Sequence, residues 1–280
     1  MNLFKNILKN IGVIILAIAI FIVGSLSSDL LRRFISNQYL GAIVYCIIKI
    51  AVISFLAWIV SAKFLKMDAE CLGIKFTVIN YRWIVISILL PVLIIIFYSF
   101  ILPGKPFVAK EGKLLESLIF GFFVAGLSSG ITEELIFRGM IFRYMKKTLG
   151  TKIAVIVPAI LFACLHILNM TNFNLLDLIL LILAGSSVSI MFTLFALESN
   201  SIWPGALAHS LWNFLIIGNV FGIGEIVNGM KNNSYIVIPI ESTSTLLTGG
   251  NFGVEAALPA IIGFVLVSVI VYMRIKKSGS

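Results

Sequence analysis

The chain has 280 residues, of which 60% are hydrophobic and only 12% are charged, and its formal net charge is +9. Soluble domains are about half apolar and about a quarter charged. This composition therefore excludes an ordinary soluble protein and indicates a polytopic membrane protein. The excess of lysine and arginine is typical of segments beside anionic lipid headgroups. We expect the lipid bilayer, and no nucleic acid, as a partner.

Eight apolar runs of about 20 residues follow one another along the chain, and such a run is long enough to cross a bilayer. They predict an all-α fold, a polytopic transmembrane helix bundle of about eight spans. No A-x-A-type cleavage site follows the first run, so we expect a retained helix rather than a signal peptide. The predicted spans are Ile11–Leu26, Leu40–Ala62, Trp83–Leu102, Leu115–Tyr144, Ile153–Leu168, Leu175–Leu197, Ile202–Val220 and Val254–Met273.

These spans divide the chain into three predicted segments. Residues 1–110 form an N-terminal group of three spans, residues 111–222 form a central helical core, and residues 223–280 contain a polar loop and the last span. The longest polar connection, from Phe221 to Phe252, is rich in Asn, Ser, Thr and Gly and predicts an irregular loop. The three cysteines show no paired spacing, so no disulfide framework is expected.

The distribution of lysine and arginine predicts how the bundle is oriented. With eight spans, both termini lie on one side. The segments of that side carry thirteen lysines and arginines, against six on the opposite side. We therefore expect a multi-pass protein of the cell membrane with both termini in the cytoplasm. Lys49 falls within the second span, where it needs water or a partner that the sequence does not identify.

Ionisable side chains inside membrane helices are costly and mark candidate functional sites. The chain has two histidines, and both lie in predicted spans. Asp177 is near the start of its span, where a helix N-terminus favours a carboxylate, so no chemistry is assigned to it. The ionisable residues of spans four to seven are Glu133, Glu134, Arg138, His166, Asp177 and His209.

Glu133 and His166 are predicted at one depth in the membrane. They lie 13 residues before and 14 residues after the lysines of one basic turn, on consecutive antiparallel helices, about 20 Å from that turn. His209 is shallower by this count, a gap that a small shift of the span boundaries would close, and Asn213 shares its face at i+4.

Glu134 and Arg138 are also spaced i,i+4 and predict an intrahelical salt bridge. Glu133 points about 100° away from Glu134 on an α-helix, so it stays free for another role.

Two chemistries suit these residues. A carboxylate and a histidine at one depth can hold and deprotonate a water. A second histidine with an amide can donate hydrogen bonds to the oxyanion of an attacked peptide carbonyl. The same Glu and two His also form a ligand set that zinc uses in hydrolases. Each residue has a structural interpretation too, as a core histidine, an ion pair or an amide between helices. The serines of these spans indicate packing faces, because no GxSxG context is present.

Three motifs, in their order along the chain, resemble a known family. They are EExxxR at Glu133–Arg138, FxxxH at Phe162–His166 and HxxxN at His209–Asn213. Together they resemble the CPBP family of CAAX proteases and bacteriocin-processing enzymes, also called the Abi family, which is related to the Ras-converting CAAX endopeptidase. The resemblance covers about Leu115 to Val220, within the segment 111–222, which it implies to be the catalytic core.

The resemblance implies an intramembrane endopeptidase with a cytoplasm-facing catalytic cavity, acting on a peptide or membrane-protein substrate. It implies that Glu133 and His166 activate the water, and that His209 and Asn213 form the oxyanion hole. The residues expected to support the site are Glu134, Arg138 and Phe162.

The family has been described both as metalloproteases and as glutamic proteases that need no metal. We expect the glutamic type without a cofactor, because Asn213 is a poor zinc ligand and neutral amides suit an oxyanion. A zinc site, if the protein uses one, would be formed by Glu133, His166 and His209.

Two other functions stay open. A non-enzymatic bacteriocin-immunity or protein-maturation factor could keep the same fold, and alanine at Glu133 or His166 would then leave its biological activity intact. A transporter or channel could use Glu133 and the histidines as a proton relay. The inverted repeats and interrupted helix pairs typical of transporters are not evident in the sequence.

Overall fold

Helices dominate the chain, and the computed structural model has the predicted fold class, an all-α polytopic bundle. The described residues are 3–74, 79–101, 105–109, 114–170, 174–224 and 234–278. Their α-helices are α1 (Leu3–Arg32), α2 (Gln38–Val60), α3 (Tyr81–Phe100), α4 (Leu114–Ile119), α5 (Ser128–Glu134), α6 (Arg143–Leu149), α7 (Thr151–His166), α8 (Leu175–Ser199), α9 (Trp203–Trp212), α10 (Thr245–Thr248) and α11 (Leu258–Ser278).

Among the described residues, seven helices are long and apolar enough to cross a membrane, as expected of a multi-pass membrane protein. They correspond to the first six and the eighth of the predicted spans. The predicted seventh span, Ile202–Val220, is helical only from Trp203 to Ile217. Its 15 residues measure about 22 Å, which is less than the hydrocarbon core of about 30 Å. The helix ends early because Gly218 leaves the helical conformation and Asn219 has a φ of 62°.

One end of the bundle brings together both termini and the turn between α6 and α7. Asn6 Nδ2 of α1 donates to the carbonyl oxygen of Thr148 at 3.2 Å. Arg274 of α11 pairs with Glu198 of α8 at 2.7 Å. We call this end the basic end, because the lysines and arginines of the terminal segments and of the α6–α7 turn lie there. The opposite end, formed by the connections after α1, α3, α7 and α9, is called the loop end.

The fourth span is one long helix, Leu114–Leu149, with two π-helical stretches in it. These stretches are Phe120–Leu127 and Leu135–Phe142, and the regular turns of α5 lie between them. Glu134 is the last residue of α5, directly before the second stretch. A π turn takes up an extra residue, so it shifts which side chains share a face, and such turns are frequent at functional sites.

The prediction of an irregular loop from Phe221 to Phe252 was wrong for the described part of that connection. β2 (Phe221–Gly224) and β3 (Ile236–Pro239) pair in parallel, and β1 (Phe107–Val108) pairs antiparallel with β3. The strands are short and β2 is half glycine, so local pattern does not reveal them. Residues 225–233 of the connection lie outside the described residues.

Buried apolar side chains form two main clusters. One joins α1, α2, α7 and the π-helical stretch Leu135–Phe142, and the other joins α3, α8, α9, α11, β2 and β3. α3 belongs to the predicted segment 1–110, but its buried residues lie in the second cluster with those of α9 and α11. The division of the chain into 1–110, 111–222 and 223–280 stays a prediction.

Lys49 lies in α2 with 5% of its surface exposed. Its ammonium nitrogen is 5.0 Å from the centre of the Phe21 ring and 5.6 Å from that of Tyr45. The faces of these rings are the partner that the sequence did not identify, since aromatic faces attract cations in places where water is scarce.

Candidate active site

A cavity of about 260 Å³ lies between α5, α7, α8, α9 and the segment before α11. Its wall includes the four residues predicted to act in catalysis, which come from three separate helices. Phe162, predicted to support the site, also lines it. The four residues are Glu133, His166, His209 and Asn213.

Glycines allow α5 and α9 to approach closely. A Cβ atom at Gly130 would meet the Ser210 hydroxyl and lie 2.7 Å from the Ser210 backbone nitrogen, and one at Gly205 would lie 2.7 Å from Glu134 Oε2. Real Cβ atoms do not come that near to backbone atoms, because the repulsion is too large. The missing side chains therefore let the glutamates of α5 reach the histidine of α9.

His209 lies between the two adjacent glutamates. Its Nδ1 is 3.1 Å from Glu134 Oε1, and its Nε2 is 3.8 Å from Glu133 Oε2. The ring stacks on Phe192, with centroids 5.0 Å apart and planes inclined by 17°. The sequence placed His209 shallower than Glu133, but in the structure the two side chains are neighbours. Both glutamates reach one ring because its two nitrogens lie on opposite sides.

The predicted salt bridge between Glu134 and Arg138 is present. Arg138 Nη1 is 2.9 Å from Glu134 Oε1, and both side chains are almost fully buried. Arg138 Nη2 donates to the carbonyl and the hydroxyl of Ser189 on α8, at 2.9 and 2.8 Å. The guanidinium also lies 5.3 Å from the ring centres of Phe162 and Phe192. This buried charge pair therefore links the helix of the glutamates to α8 and to the aromatic wall of the cavity.

His166 is the last residue of α7, and its Nδ1 lies 2.8 Å from the carbonyl oxygen of Phe162. A carbonyl can only accept, so Nδ1 carries the hydrogen and, in the neutral ring, Nε2 carries the lone pair. The ring also contacts Phe162, with centroids 4.6 Å apart. The spacing FxxxH thus has a structural meaning. The carbonyl oxygen of Phe162 fixes the tautomer of His166, and the ring of Phe162 fixes the plane of the imidazole.

Asn213 begins the π-helical stretch that follows α9. Its Nδ2 donates to the carbonyl oxygen of Ala125 at 3.2 Å, across the gap between α9 and the fourth span. An amide group has two N–H donors, so this bond fixes the side chain and leaves one donor for the cavity.

The possible zinc ligands, Glu133, His166 and His209, all line the cavity. Among the described residues, no three His, Cys, Asp or Glu side chains are grouped closely enough to hold a metal ion. His209 Nδ1 donates to Glu134 Oε1 at 3.1 Å, and its Nε2 lies 3.8 Å from Glu133 Oε2.

The segment that borders the cavity at the loop end was not among the predicted parts of the site. Glu255 and Phe252 line the cavity from the turns before α11, and the ring centroid of Phe252 is 6.2 Å from that of His166. Burial, together with a smaller contribution from the nearby Glu133 carboxylate, raises the pKa of the Glu255 carboxyl to about 8. A signal was available, because Glu255 is a carboxylate at the start of a predicted span.

Asp177, to which no chemistry was assigned, holds this segment in place. Its Oδ2 accepts from the backbone nitrogen of Asn251 at 3.0 Å and from the Asn251 side chain at 2.7 Å. Tyr98 donates to the carbonyl oxygen of Leu247 at 2.6 Å. These bonds connect the segment before α11 to α8 and α3, so the wall carrying Glu255 has fixed anchors.

The fold and the site together define a class of protein, a multi-pass membrane protein with carboxylate and imidazole groups around a cavity inside its helix bundle. Residues 115–215 match the family model described as type II CAAX prenyl endopeptidase Rce1-like. The match confirms the resemblance to the CAAX protease family over this segment, which contains the three motifs. No curated protein and no solved structure gave a significant match.

Proposed function

We propose that the chain is an intramembrane endopeptidase that hydrolyses a peptide bond in a peptide or membrane-protein substrate. The observation that carries this proposal is the joint position of a carboxylate, two imidazoles and an amide around one cavity between membrane helices. The family match implies a protease with a peptide or protein substrate. The residues proposed to be catalytic are Glu133, His166, His209 and Asn213.

Glu133 is the proposed base. Water adds to the carbonyl carbon while one of its protons passes to the Glu133 carboxylate. The C–N bond then breaks as Glu133 returns this proton to the leaving amine nitrogen. His166, with its lone pair at Nε2, accepts a hydrogen bond from the same water and orients it. A positioned base of this kind contributes about 10²- to 10⁴-fold to the rate.

His209 and Asn213 are the proposed donors to the oxyanion. Glu134 fixes the hydrogen of His209 on Nδ1. The Nε2 end of the ring borders the cavity and is the end proposed to donate to the oxyanion. Asn213 contributes the N–H that is not bonded to Ala125. Loss of one oxyanion donor typically costs about 10²- to 10³-fold in rate.

The glutamic mechanism without a cofactor remains our proposal for the type of protease. It is supported by Asn213, whose amide is a poor zinc ligand but a suitable donor to an oxyanion. The immunity or maturation factor and the transporter are not favoured. Neither accounts for an amide and an imidazole placed as donors beside a carboxylate base.

We also propose that both termini are cytoplasmic, because the described segments at the basic end carry most of the lysines and arginines. This orientation has a consequence for the cavity. Its outer wall is formed by Asn169, Phe252 and Glu255, which lie in the connections of the loop end. The cavity therefore lies toward the membrane face opposite the termini, and it cannot face the cytoplasm if the termini do.

The first test is cleavage of a mixed peptide library by the detergent-purified protein, with new peptide ends detected by mass spectrometry. Glu133→Gln keeps the shape of the side chain but removes the base, and we expect at least about a 100-fold loss. Glu241→Gln, an exposed acidic residue in the connection after β3, is the matched control and should cleave like the wild type.

A second arm contains a tight zinc chelator. Cleavage kept with the chelator and lost in Glu133→Gln supports the glutamate-activated water. Cleavage lost with the chelator would replace that mechanism with a metal-dependent one. A Glu133→Gln protein as active as the wild type would contradict the assignment of Glu133.

A further inference from the structure

A second, larger cavity lies on the flank of the bundle, apart from the candidate active site. It is a groove of about 760 Å³ between α7 and α11, with α8 as its floor. Its middle part is apolar. Each of the three helices contributes apolar side chains to it, including Val155 and Ile156 from α7, Ile190 and Leu194 from α8, and Val265 and Val269 from α11.

The groove has the depth of one lipid leaflet. On α11 its lining runs from Val265 to Ile275, and on α8 from Ser187 to Leu197. Ten residues of α-helix measure about 15 Å, which is half of the hydrocarbon core of about 30 Å. Ile156 and Val265 are 53% and 45% exposed, so this part of the groove is open to the acyl chains around the bundle.

The polar part of the groove lies at the basic end. Lys146 and Lys152, on either side of the α6–α7 turn, line it together with Thr151 and Tyr272. Both lysines are exposed, and neither makes an ion pair with any residue that the structure describes. Tyrosine is typical of the level of the lipid headgroups. The groove therefore has two cationic groups at headgroup level and an apolar trough that continues into the leaflet.

We propose that this groove binds an anionic glycerophospholipid from the leaflet at the basic end. The lipid phosphate lies at Lys146 and Lys152, and an acyl chain follows the trough between α7 and α11. The charge of the two lysines selects an anionic headgroup over a zwitterionic one, because each basic group near a membrane surface strengthens the attraction to anionic lipid about fivefold. The cytoplasmic leaflet, where the orientation above places this end, is the one that carries anionic lipid.

The position of α8 connects the lipid to the candidate active site. Ile190 and Leu194 face the groove, while Val188 and Phe192 of the same helix line the catalytic cavity. Phe192 stacks on His209. A lipid seated in the groove thus packs against the helix whose other face supports the catalytic histidine.

The test is native mass spectrometry of the full-length protein, purified in detergent and mixed with phosphatidylglycerol or phosphatidylcholine. We expect the wild type to retain phosphatidylglycerol preferentially. Replacing both Lys146 and Lys152 by Gln should weaken phosphatidylglycerol binding about 25-fold and remove the preference. Val265→Trp fills the trough and should reduce the retention of both lipids.

Each variant has a matched control at the same end or on the same helix. Lys276→Gln with Lys277→Gln removes two exposed charges at the basic end that do not line the groove. Leu266→Trp adds the same bulk next to Val265, on a side chain that is 59% exposed outside the groove. Both controls should bind lipid like the wild type.

Equal retention of the two lipids by the wild type would overturn the proposal. So would control variants that lose binding as strongly as the groove variants, because the attraction would then be a property of the whole basic end. The readout is lipid mass and does not depend on proteolysis, so the result stands whether or not the proposed activity is found.

Discussion

His209 shows that the sequence reveals the residues of the site more readily than the contacts between them. Helical spacing separates Glu133 from Glu134 by about 100° and suggests independent roles for them. In the structure one imidazole connects both, through Nδ1 at 3.1 Å and Nε2 at 3.8 Å. The residue that the sequence assigned to support, Glu134, thereby controls the hydrogen-bond role of a proposed catalytic residue.

The buried pair of Glu134 and Arg138 predicts a large effect on stability. Arg138→Met removes the cation and leaves a carboxylate with 0% of its side chain exposed, which should cost about 3–5 kcal/mol. Adding Glu134→Gln removes the charge that is left behind and should recover part of this loss. The measurement is thermal unfolding of the purified variants in detergent.

The control for this prediction is the exposed pair of Arg32 and Asp29, 3.1 Å apart with side chains 38% and 41% exposed. Arg32→Met should change stability by less than about 1 kcal/mol. Equal stability losses for Arg138→Met and Arg32→Met would show that burial does not determine the strength of the inner pair.

Glu255 predicts a pH dependence of stability. Its pKa is about 8 in the folded chain, above the ordinary value of 4.5, so the unfolded chain releases this proton at a lower pH than the folded chain. The stabilising contribution is complete below the unfolded pKa, and it is lost as the pH rises toward 8. Each pH unit in this window changes the free energy of unfolding by at most about 1.4 kcal/mol.

Glu255→Gln removes this titration. The difference in melting temperature between Glu255→Gln and the wild type should therefore grow in favour of the variant between pH 5 and pH 8. Glu241→Gln, at an exposed position, serves as the comparison. A melting-temperature difference that stays constant across this range would contradict the uncharged state of Glu255 in the folded chain.

At the scale of elements, the site depends on how closely two helices pack. α9 is too short to cross the membrane by itself, yet it packs against α3, α5 and α8 inside the bundle. α9 comes close to α5 because Gly130 of α5 and Gly205 of α9, which lie at the contact, have no side chains. Three of the four proposed catalytic residues lie on α5 or on the helix that α9 begins, so their positions depend on this single contact.

Gly130→Ala tests this contact. The added methyl group would meet Ser210 of α9, including its backbone nitrogen at 2.7 Å, and backbone cannot move aside as a flexible side chain can. We expect α5 and α9 to separate, with lower stability, and peptide cleavage reduced by more than about tenfold, since small misplacements of reacting groups cost about 10²-fold.

The matched substitution is Gly12→Ala on α1, where a Cβ atom would have nothing within 4 Å. This variant should be as stable and as active as the wild type, because alanine favours a helix over glycine. If Gly130→Ala behaves like Gly12→Ala, the close approach of α5 and α9 does not hold the site together.

At the scale of the whole molecule, the two ends of the bundle differ in charge and in content. The basic end carries the termini and the groove between α7 and α11, while the loop end carries the three-stranded sheet and the segment that borders the candidate active-site cavity. The expectation of cytoplasmic termini and the expectation of a cytoplasm-facing cavity therefore exclude one another in this structure. The positive-inside rule favours the first.

Thiol labelling in intact cells decides the orientation. Cys71 is exposed at the basic end, and Thr243 is exposed in the connection at the loop end. A membrane-impermeant reagent should label Thr243→Cys in intact cells and reach Cys71 only after the cells are opened. The reverse pattern would place the termini outside and the cavity toward the cytoplasm.

The sequence by itself determined the membrane class, the long helices and five residues of the cavity wall, Glu133, Phe162, His166, His209 and Asn213. These features are local, because hydrophobic length, helical spacing and the rarity of charge in apolar runs can be read from neighbouring positions. The Glu134–Arg138 bond was predicted for the same reason, since both partners lie on one helix one turn apart.

Only the tertiary structure decided what these residues touch. The contacts of His209 with the glutamates, of Arg138 with Ser189 and of Asp177 with Asn251 join positions 51 to 76 residues apart. No local pattern encodes such distances, and the π-helical stretches shift the faces that regular spacing would predict. Glu255 likewise lines the cavity because α11 packs against α8. These two helices are far apart in the sequence, so only their packing brings Glu255 to the site.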